Sequence, residues 1–135
     1  MRRGTIGLVL AAGAALAACS NARQPEVEAN IVPREYQSEM LQTLRTTLDL
    51  PTNIKEAAIS DPVLRSAGSD QRYSVCVRAN WRDAGGNYLG VKEKIAWFYG
   101  GHLNQLVDAN PGQCAGAAYR PWPELEKLCQ AAKCV

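Results

Sequence analysis

The sequence predicts an α+β domain: a small antiparallel β-meander of three or four strands, packed with an N-terminal and a C-terminal helix and tied by disulfides. Residues 72–81 alternate between apolar and polar side chains, which is typical of a half-buried strand. Glycine pairs at 85–86 and 100–101 then separate two further segments of strand-like composition. Apolar residues at helical spacing before and after these segments predict the helices.

The predicted strands are residues 72–81, 88–99 and 102–109. In the first strand, Cys76 falls on the polar face, which is consistent with a disulfide that ties this face to something beyond the sheet. Gly100-Gly101 predicts a two-residue hairpin turn between the other two strands.

The first predicted helix, Arg34 to Leu50, carries one apolar stripe and is stopped by Pro51. The second, Pro123 to Ala132, has Pro123 in its first turn, where the missing amide costs nothing. The segments between these elements are less regular. Residues 52–64 fit either a short helix or a strand, 66–71 read as a polar loop, and 115–122 read as irregular.

The start of the chain has the three parts of a secretory signal. Arg2 and Arg3 are followed by an uncharged apolar run at 6–16 and by the small residues Ala17 and Ala18. This run is shorter than the roughly 20 residues that a membrane-spanning helix needs. The sequence Leu16-Ala17-Ala18-Cys19 closes the segment and resembles the lipobox of bacterial lipoproteins.

The lipobox resemblance implies cleavage of the signal between Ala18 and Cys19, and lipidation of Cys19 on its thiol and its new amino group. In such lipoproteins an Asp after the cysteine favours the inner membrane, so Ser20 implies the outer membrane. We therefore expect residues 1–18 to be a signal peptide, 19–33 a lipidated cysteine with a flexible tether, and 34–135 a periplasmic domain held in the cell envelope by membrane lipid.

Four further cysteines predict two disulfides, because an even number in an exported domain is typical of a disulfide framework: Cys76, Cys114, Cys129 and Cys134. Their wide spacing argues against a metal site. Three pairings are open. We favour Cys114–Cys129 with Cys76–Cys134, since Cys129 and Cys134 would point to different faces of one helix.

Three further segments resemble small uncharacterised exported proteins of Gram-negative bacteria. They are Leu48-Asp49-Leu50-Pro51, Val75-Cys76-Val77-Arg78-Ala79-Asn80 and Gly86-Asn87-Tyr88-Leu89-Gly90. Leu50 intervenes in what is a Leu-x-Asp-Pro turn in those proteins. The resemblance covers less than half of the chain after Cys19 and implies no catalytic residue.

Composition argues against nucleic acid as a partner, because without Arg2 and Arg3 the chain keeps 13 of its 15 basic side chains against 13 acidic ones, with no basic cluster. No cofactor motif is present, since both glycine pairs suit hairpins. His102, with Asp108 or Glu93 and Ser74, is the one conceivable hydrolase centre, but it lacks a nucleophile motif.

We therefore expect a non-enzymatic interaction or structural domain, with an envelope protein as its partner. The alternative is a glycan- or peptidoglycan-binding module built on exposed aromatic residues. Tyr99, His102 and Trp122 are the candidates for such a surface, because they flank the hairpin glycines or lie between prolines. A hydrolase that uses His102 is the remote third reading.

Overall fold

A computed structural model of the chain describes residues 30–129. The predictions for the signal peptide, for Cys19 and for most of the tether lie outside these residues. The described elements, in chain order, are α1 (Tyr36–Thr47), β1 (Lys55–Ile59), β2 (Val63–Ala67), β3 (Asp70–Arg82), β4 (Tyr88–Tyr99), β5 (His102–Asp108), β6 (Arg120–Pro121) and α2 (Pro123–Glu126).

The strands form one antiparallel sheet in the order β5-β4-β3-β1-β6, with β2 also paired to β3. The broad α+β prediction is confirmed, but this sheet has six strands rather than three or four. Strand β3 has 13 residues, which is long enough to pair with two strands on one side. It pairs with β2 along residues 70–74 and with β1 along residues 77–80.

Strands β1 and β2 lie in a region whose secondary structure was ambiguous from the sequence. Residues 55–59 and 63–67 are strands rather than a helix. The prediction of a polar loop at 66–71 is wrong, because Ala67 pairs with Asp70 across a two-residue turn. Gly68 permits this turn with a φ of 66°. The polar residues of the segment 66–71 therefore belong to a β-hairpin and not to an irregular loop.

The meander β3-β4-β5 is confirmed. Its central register places Val75 opposite Ala96, and Ala96 opposite Leu106. At the β4–β5 turn, Gly100 and Gly101 have φ values of 59° and 82°. Two consecutive positive values are those of the type I′ hairpin that the glycine pair predicts.

The main core lies on one face of the sheet, under α1 and the C-terminal segment. Met40 and Leu44 of α1 are buried there, and so are Trp122 and Leu125. The helix is three residues shorter at its C-terminal end than predicted, because Leu48 already has an extended backbone, with a ψ of 138°.

The opposite face of the sheet is covered as well. Cys76 and Ile95 project from it, and the segment after β5 brings Cys114 on top of them in a second buried cluster. A disulfide joins Cys76 to Cys114. The tie to a segment beyond the sheet is therefore confirmed, whereas our preferred pairing is wrong. The chain after Ala109 turns back over β3, which cysteine spacing alone does not reveal.

Cys129 is also held in a disulfide, and its partner cysteine lies outside the described residues. Cys134 lies outside them too. The C-terminal end of the predicted tether is packed on the domain: Pro33 is fully buried, and Ile31 contacts the turn at Gly101. Within residues 30–129, no helix is long and apolar enough to cross a membrane.

Candidate functional site

The structure brings two of the three predicted surface residues together. Tyr99 and His102 are register partners at the β4–β5 hairpin. Tyr99 is 39% exposed, and the centre of its ring lies 5.0 Å from the guanidinium carbon of Arg72, within cation–π range. The His102 ring points outward, with its Nδ1 3.0 Å from the carboxylate of Glu39.

Trp122 does not belong to this surface, so its predicted exposure is wrong. It is 1% exposed and packs in the main core. Its backbone amide donates to the carbonyl oxygen of Ala57, 2.9 Å away, which holds the backbone of Trp122 against β1. Prolines on both sides restrict the backbone but do not determine which way the ring points.

The exposed tyrosines of β4 do not form a shared platform with each other. Trp81 is 4% exposed, and its indole N–H donates to the carbonyl oxygen of Lys92. Tyr88 and Tyr99, both 39% exposed, are the first and last residues of β4. A strand of 12 residues separates them by about 37 Å, too far for one sugar ring to touch both.

The residues of the conceivable hydrolase centre have separate structural partners. His102 faces Glu39, and Asp108 forms an ion pair with Lys94 at 2.6 Å. Glu93 accepts the hydroxyl hydrogen of Tyr119, and Ser74 is buried. No nucleophile–base–acid sequence is therefore assembled from these four positions.

A cleft of about 530 Å³ opens on the disulfide-bearing face, between the sheet and the C-terminal segment. Its walls come from β1, β3, β4, β6 and α2, so its parts are far apart in sequence. The charged and aromatic side chains at the cleft are Glu56, Arg78, Tyr119, Arg120 and Glu126. Val91, which is 50% exposed, forms an apolar wall.

A bulge in β1 shapes this cleft. The register of β1 with β3 shifts between Lys55 and Ala58, and Glu56 has a φ of 55°. Such a value is uncommon for a residue with a side chain, and bulges of this kind re-aim side chains at functional sites. The amide of Ala57 is satisfied by the carboxylate of Glu126 at 3.1 Å, which holds α2 against the bulge.

An arginine and a tyrosine contact each other in the lining of the cleft. The guanidinium carbon of Arg78 lies 4.4 Å from the ring centre of Tyr119, within cation–π range. Burial raises the pKa of the Tyr119 hydroxyl above its ordinary value of 10, and the hydrogen bond to Glu93 raises it further. Tyr119 is therefore a neutral hydrogen-bond donor at neutral pH, and the ring holds Arg78 in a defined position.

The guanidinium of Arg120 is bound by residues that do not line the cleft. Its guanidinium donates to Asp61 and to the hydroxyl oxygen of Tyr36, so only its stem contributes to the cleft. Among the described residues, the charges of the cleft without an ion pair are thus the cation of Arg78 and the carboxylates of Glu56 and Glu126. Each carboxylate already accepts one hydrogen bond, from the side chain of Asn80 and from the amide of Ala57 respectively. No sequence motif marked these residues; the alternation of β3 showed only that Arg78 faces away from the main core.

No protein-family model, no curated protein and no solved structure matches this chain. Within residues 30–129, no three acidic, histidine or cysteine side chains are close enough together to hold a metal ion.

Proposed function

We propose that the protein is a lipoprotein of the cell envelope, anchored in the outer membrane through acylated Cys19 and facing the periplasm. Its folded domain acts as a non-enzymatic interaction module that holds an envelope partner in the cleft. The lipobox Leu16-Ala17-Ala18-Cys19 supports the anchor. The positioned charges of the cleft support the binding role.

The observation that carries the binding role is that Arg78, whose guanidinium lies over the ring of Tyr119, lines the same cleft as Glu56 and Glu126. A guanidinium held on an aromatic face keeps its hydrogen-bond donors available to a carboxylate of a ligand. The glutamates offer acceptors for a cation on the same ligand. This chemistry suits an extended peptide segment of a partner that carries both charges.

A peptide fits the described residues better than a glycan does. Sugar rings stack on exposed aromatic faces, and the exposed tyrosines lie at opposite ends of β4. The ring of Tyr119 at the cleft already faces Arg78. The hydrolase reading draws no support from His102, because its ring faces the carboxylate of Glu39, and Ser74 is buried.

Site-specific photo-crosslinking in the bacterial envelope tests the binding role. A crosslinking residue at Val91, in the cleft wall, should capture a defined partner, and Arg78→Glu should remove that adduct. A crosslinker at Val107, which is 45% exposed but outside the cleft, is the matched control. Equal capture from both positions, or capture that survives Arg78→Glu, would contradict the proposal.

The anchor has its own test. The mature protein should carry the mass of its acyl chains, and Cys19→Ser should abolish acylation and membrane retention. A mature wild-type mass without acyl groups would contradict the anchor but would leave the cleft experiment interpretable.

A further inference from the structure

Two arginines lie next to each other at the end of the sheet that carries the β2–β3 and β4–β5 turns. Arg65 of β2 is the register partner of Arg72 of β3, so both side chains leave the same face. Like charges directly opposite each other in a sheet are unfavourable unless something compensates them. The carboxylate of Asp70 lies 4.0 Å from Arg72 and is 58% exposed, so it compensates only weakly.

The same place holds polar atoms that lack partners. Within the described chain, Nε of Arg65, Nε of Arg72 and Oγ of Ser74 are buried without a hydrogen bond. Ser74 is 1% exposed and follows Arg72 by two residues, so its side chain projects from the same face. Three unsatisfied groups side by side, two of them cationic, match an oxyanion with several acceptor oxygens.

The arginines are held in position by neutral contacts. Nη1 of Arg65 donates to the carbonyl oxygen of Gln113, 2.6 Å away. The guanidinium of Arg72 lies over the ring of Tyr99 at 5.0 Å. These contacts orient the two cations without neutralising them, which leaves their charge available to an anionic ligand.

Exposed apolar residues surround this end of the sheet. Five of the large apolar side chains that the described structure exposes are found here: Ile31, Val32, Val63, Leu64 and Tyr99. Ile31 contacts Gly101 of the β4–β5 turn, while Val63 and Leu64 pair with the first half of β3. Val63 leaves the same face as the two arginines, and Leu64 leaves the other face. We call these five residues the apolar rim; apolar residues at the same end of the sheet as paired arginines are the composition of a surface that meets a lipid interface.

The chain also leaves the domain at this end. Residues 19–29 would connect Asn30, next to the β4–β5 turn, to the lipidated Cys19, and eleven residues span at most about 40 Å. Under the proposed anchoring, a connection of this length allows the arginine pair to reach the bilayer surface. The position of the anchor and the chemistry of the surface point to the same ligand.

We propose that Arg65, Arg72 and Ser74 bind the phosphate group of an anionic phospholipid headgroup, and so dock the domain on the membrane that anchors it. This inference rests on the proposed lipid anchor. The arginines and the Ser74 hydroxyl donate to the phosphate oxygens, and the apolar rim enters the interface beside them.

Vesicle binding of the mature chain, residues 19–135 with Cys19→Ser, tests the inference without the acyl chains. We expect it to bind vesicles that contain phosphatidylglycerol and not vesicles of phosphatidylcholine alone, with weaker binding at high salt. The double variant Arg65→Gln/Arg72→Gln should lower the partition coefficient at least tenfold, since each arginine near an anionic surface contributes to the free energy of membrane binding. The control Arg45→Gln/Lys127→Gln removes the same charge from exposed positions elsewhere and should change binding less than threefold.

Three results would overturn the inference: equal binding to both vesicle types, equal loss in the control, or saturable binding of inorganic phosphate without vesicle binding, which would assign the site to a soluble phosphate. Should the double variant fail to fold, Ser74→Ala decides instead. It removes a buried unpaired hydroxyl, so it should fold and bind vesicles several-fold more weakly; unchanged binding would overturn the inference. If intact mass shows that the wild type is acylated but the Cys19→Ser chain does not bind vesicles, this inference alone is contradicted, whereas an unacylated wild type contradicts the anchor.

Discussion

The carboxylate of Glu39 accepts a hydrogen bond from the backbone amide of Leu103, with 2.5 Å between Oε2 and the amide nitrogen. Glu39 lies on α1, and Leu103 lies on β5 at the end of the sheet order. An amide at a sheet edge is a site at which another chain can pair. The first helix therefore covers the core and also occupies a donor on the edge of the sheet.

Glu39→Ala should lower the free energy of unfolding by about 1–3 kcal/mol, because the Leu103 amide loses its acceptor in a partly buried place. Glu39→Gln retains a carbonyl oxygen and should lose less. Glu35→Ala is the control, since that side chain is exposed and makes no capping hydrogen bond. Urea denaturation checks the order, and similar midpoints for Glu39→Ala and Glu35→Ala would show that the contact contributes nothing.

The double variant Cys76→Ala/Cys114→Ala should lower the stability by about 4 kcal/mol, because the bond closes a loop over a sequence separation of 38 residues. Alanine avoids placing hydroxyl groups in a cluster where both cysteines are buried. Thermal unfolding measures the loss. In the parent protein, alkylation without reductant should label neither Cys76 nor Cys114, and labelling of both would contradict the bond.

Gly100→Val should lower stability by about 1–3 kcal/mol, because a β-branched residue is strained at a φ of 59°. Gly100→Asn is the matched comparison, since asparagine tolerates this region of backbone space. Both variants should fold, with the valine variant melting at the lower temperature. Equal melting temperatures would mean that the turn relaxes without cost.

Trp122→Ala should lower stability by about 3–5 kcal/mol, as expected for emptying a fully buried aromatic site. Trp122→Phe should lose much less, because the indole N–H is buried without a partner among the described residues. Tyr99→Ala, at an exposed position, should cost less than Trp122→Ala. Parental stability of the Trp122→Ala variant would contradict the burial of Trp122 and indicate an exposed side chain.

Asp83 makes the β3–β4 turn sensitive to acid. The backbone amide of Asn87 donates to its carboxylate at 2.9 Å, and this bond is the main reason that the pKa of Asp83 lies below its usual 3.8. A lowered folded-state pKa means that the stabilisation is present above pH 3.8 and is lost as the pH falls through the folded value. Asp83→Asn should flatten this part of the stability profile, whereas Asp49→Asn, at an exposed position, should leave it unchanged. Identical profiles of stability against pH for Asp83→Asn and the parent would show that Asp83 does not cause the loss of stability in acid.

The sequence by itself determined the local elements of this protein. The alternation of β3 and the glycine turn at Gly100-Gly101 are properties of neighbouring residues, and β4 begins and ends where the sequence predicts, at Tyr88 and Tyr99. Burial on one face imposes a period of two, and a two-residue hairpin demands positive φ; both are readable in a short window.

Only the tertiary structure decided the rest. Residues 55–59 become a strand because β3 extends far enough to pair with them, and Cys76 meets Cys114 because the chain after β5 returns over the second face. Trp122 turns inward, and Glu56 is re-aimed by a bulge that exists only in the pairing of β1 with β3. These outcomes depend on which distant segments share a face or an edge, and that choice is made by the packing free energy of the whole chain rather than by any local pattern.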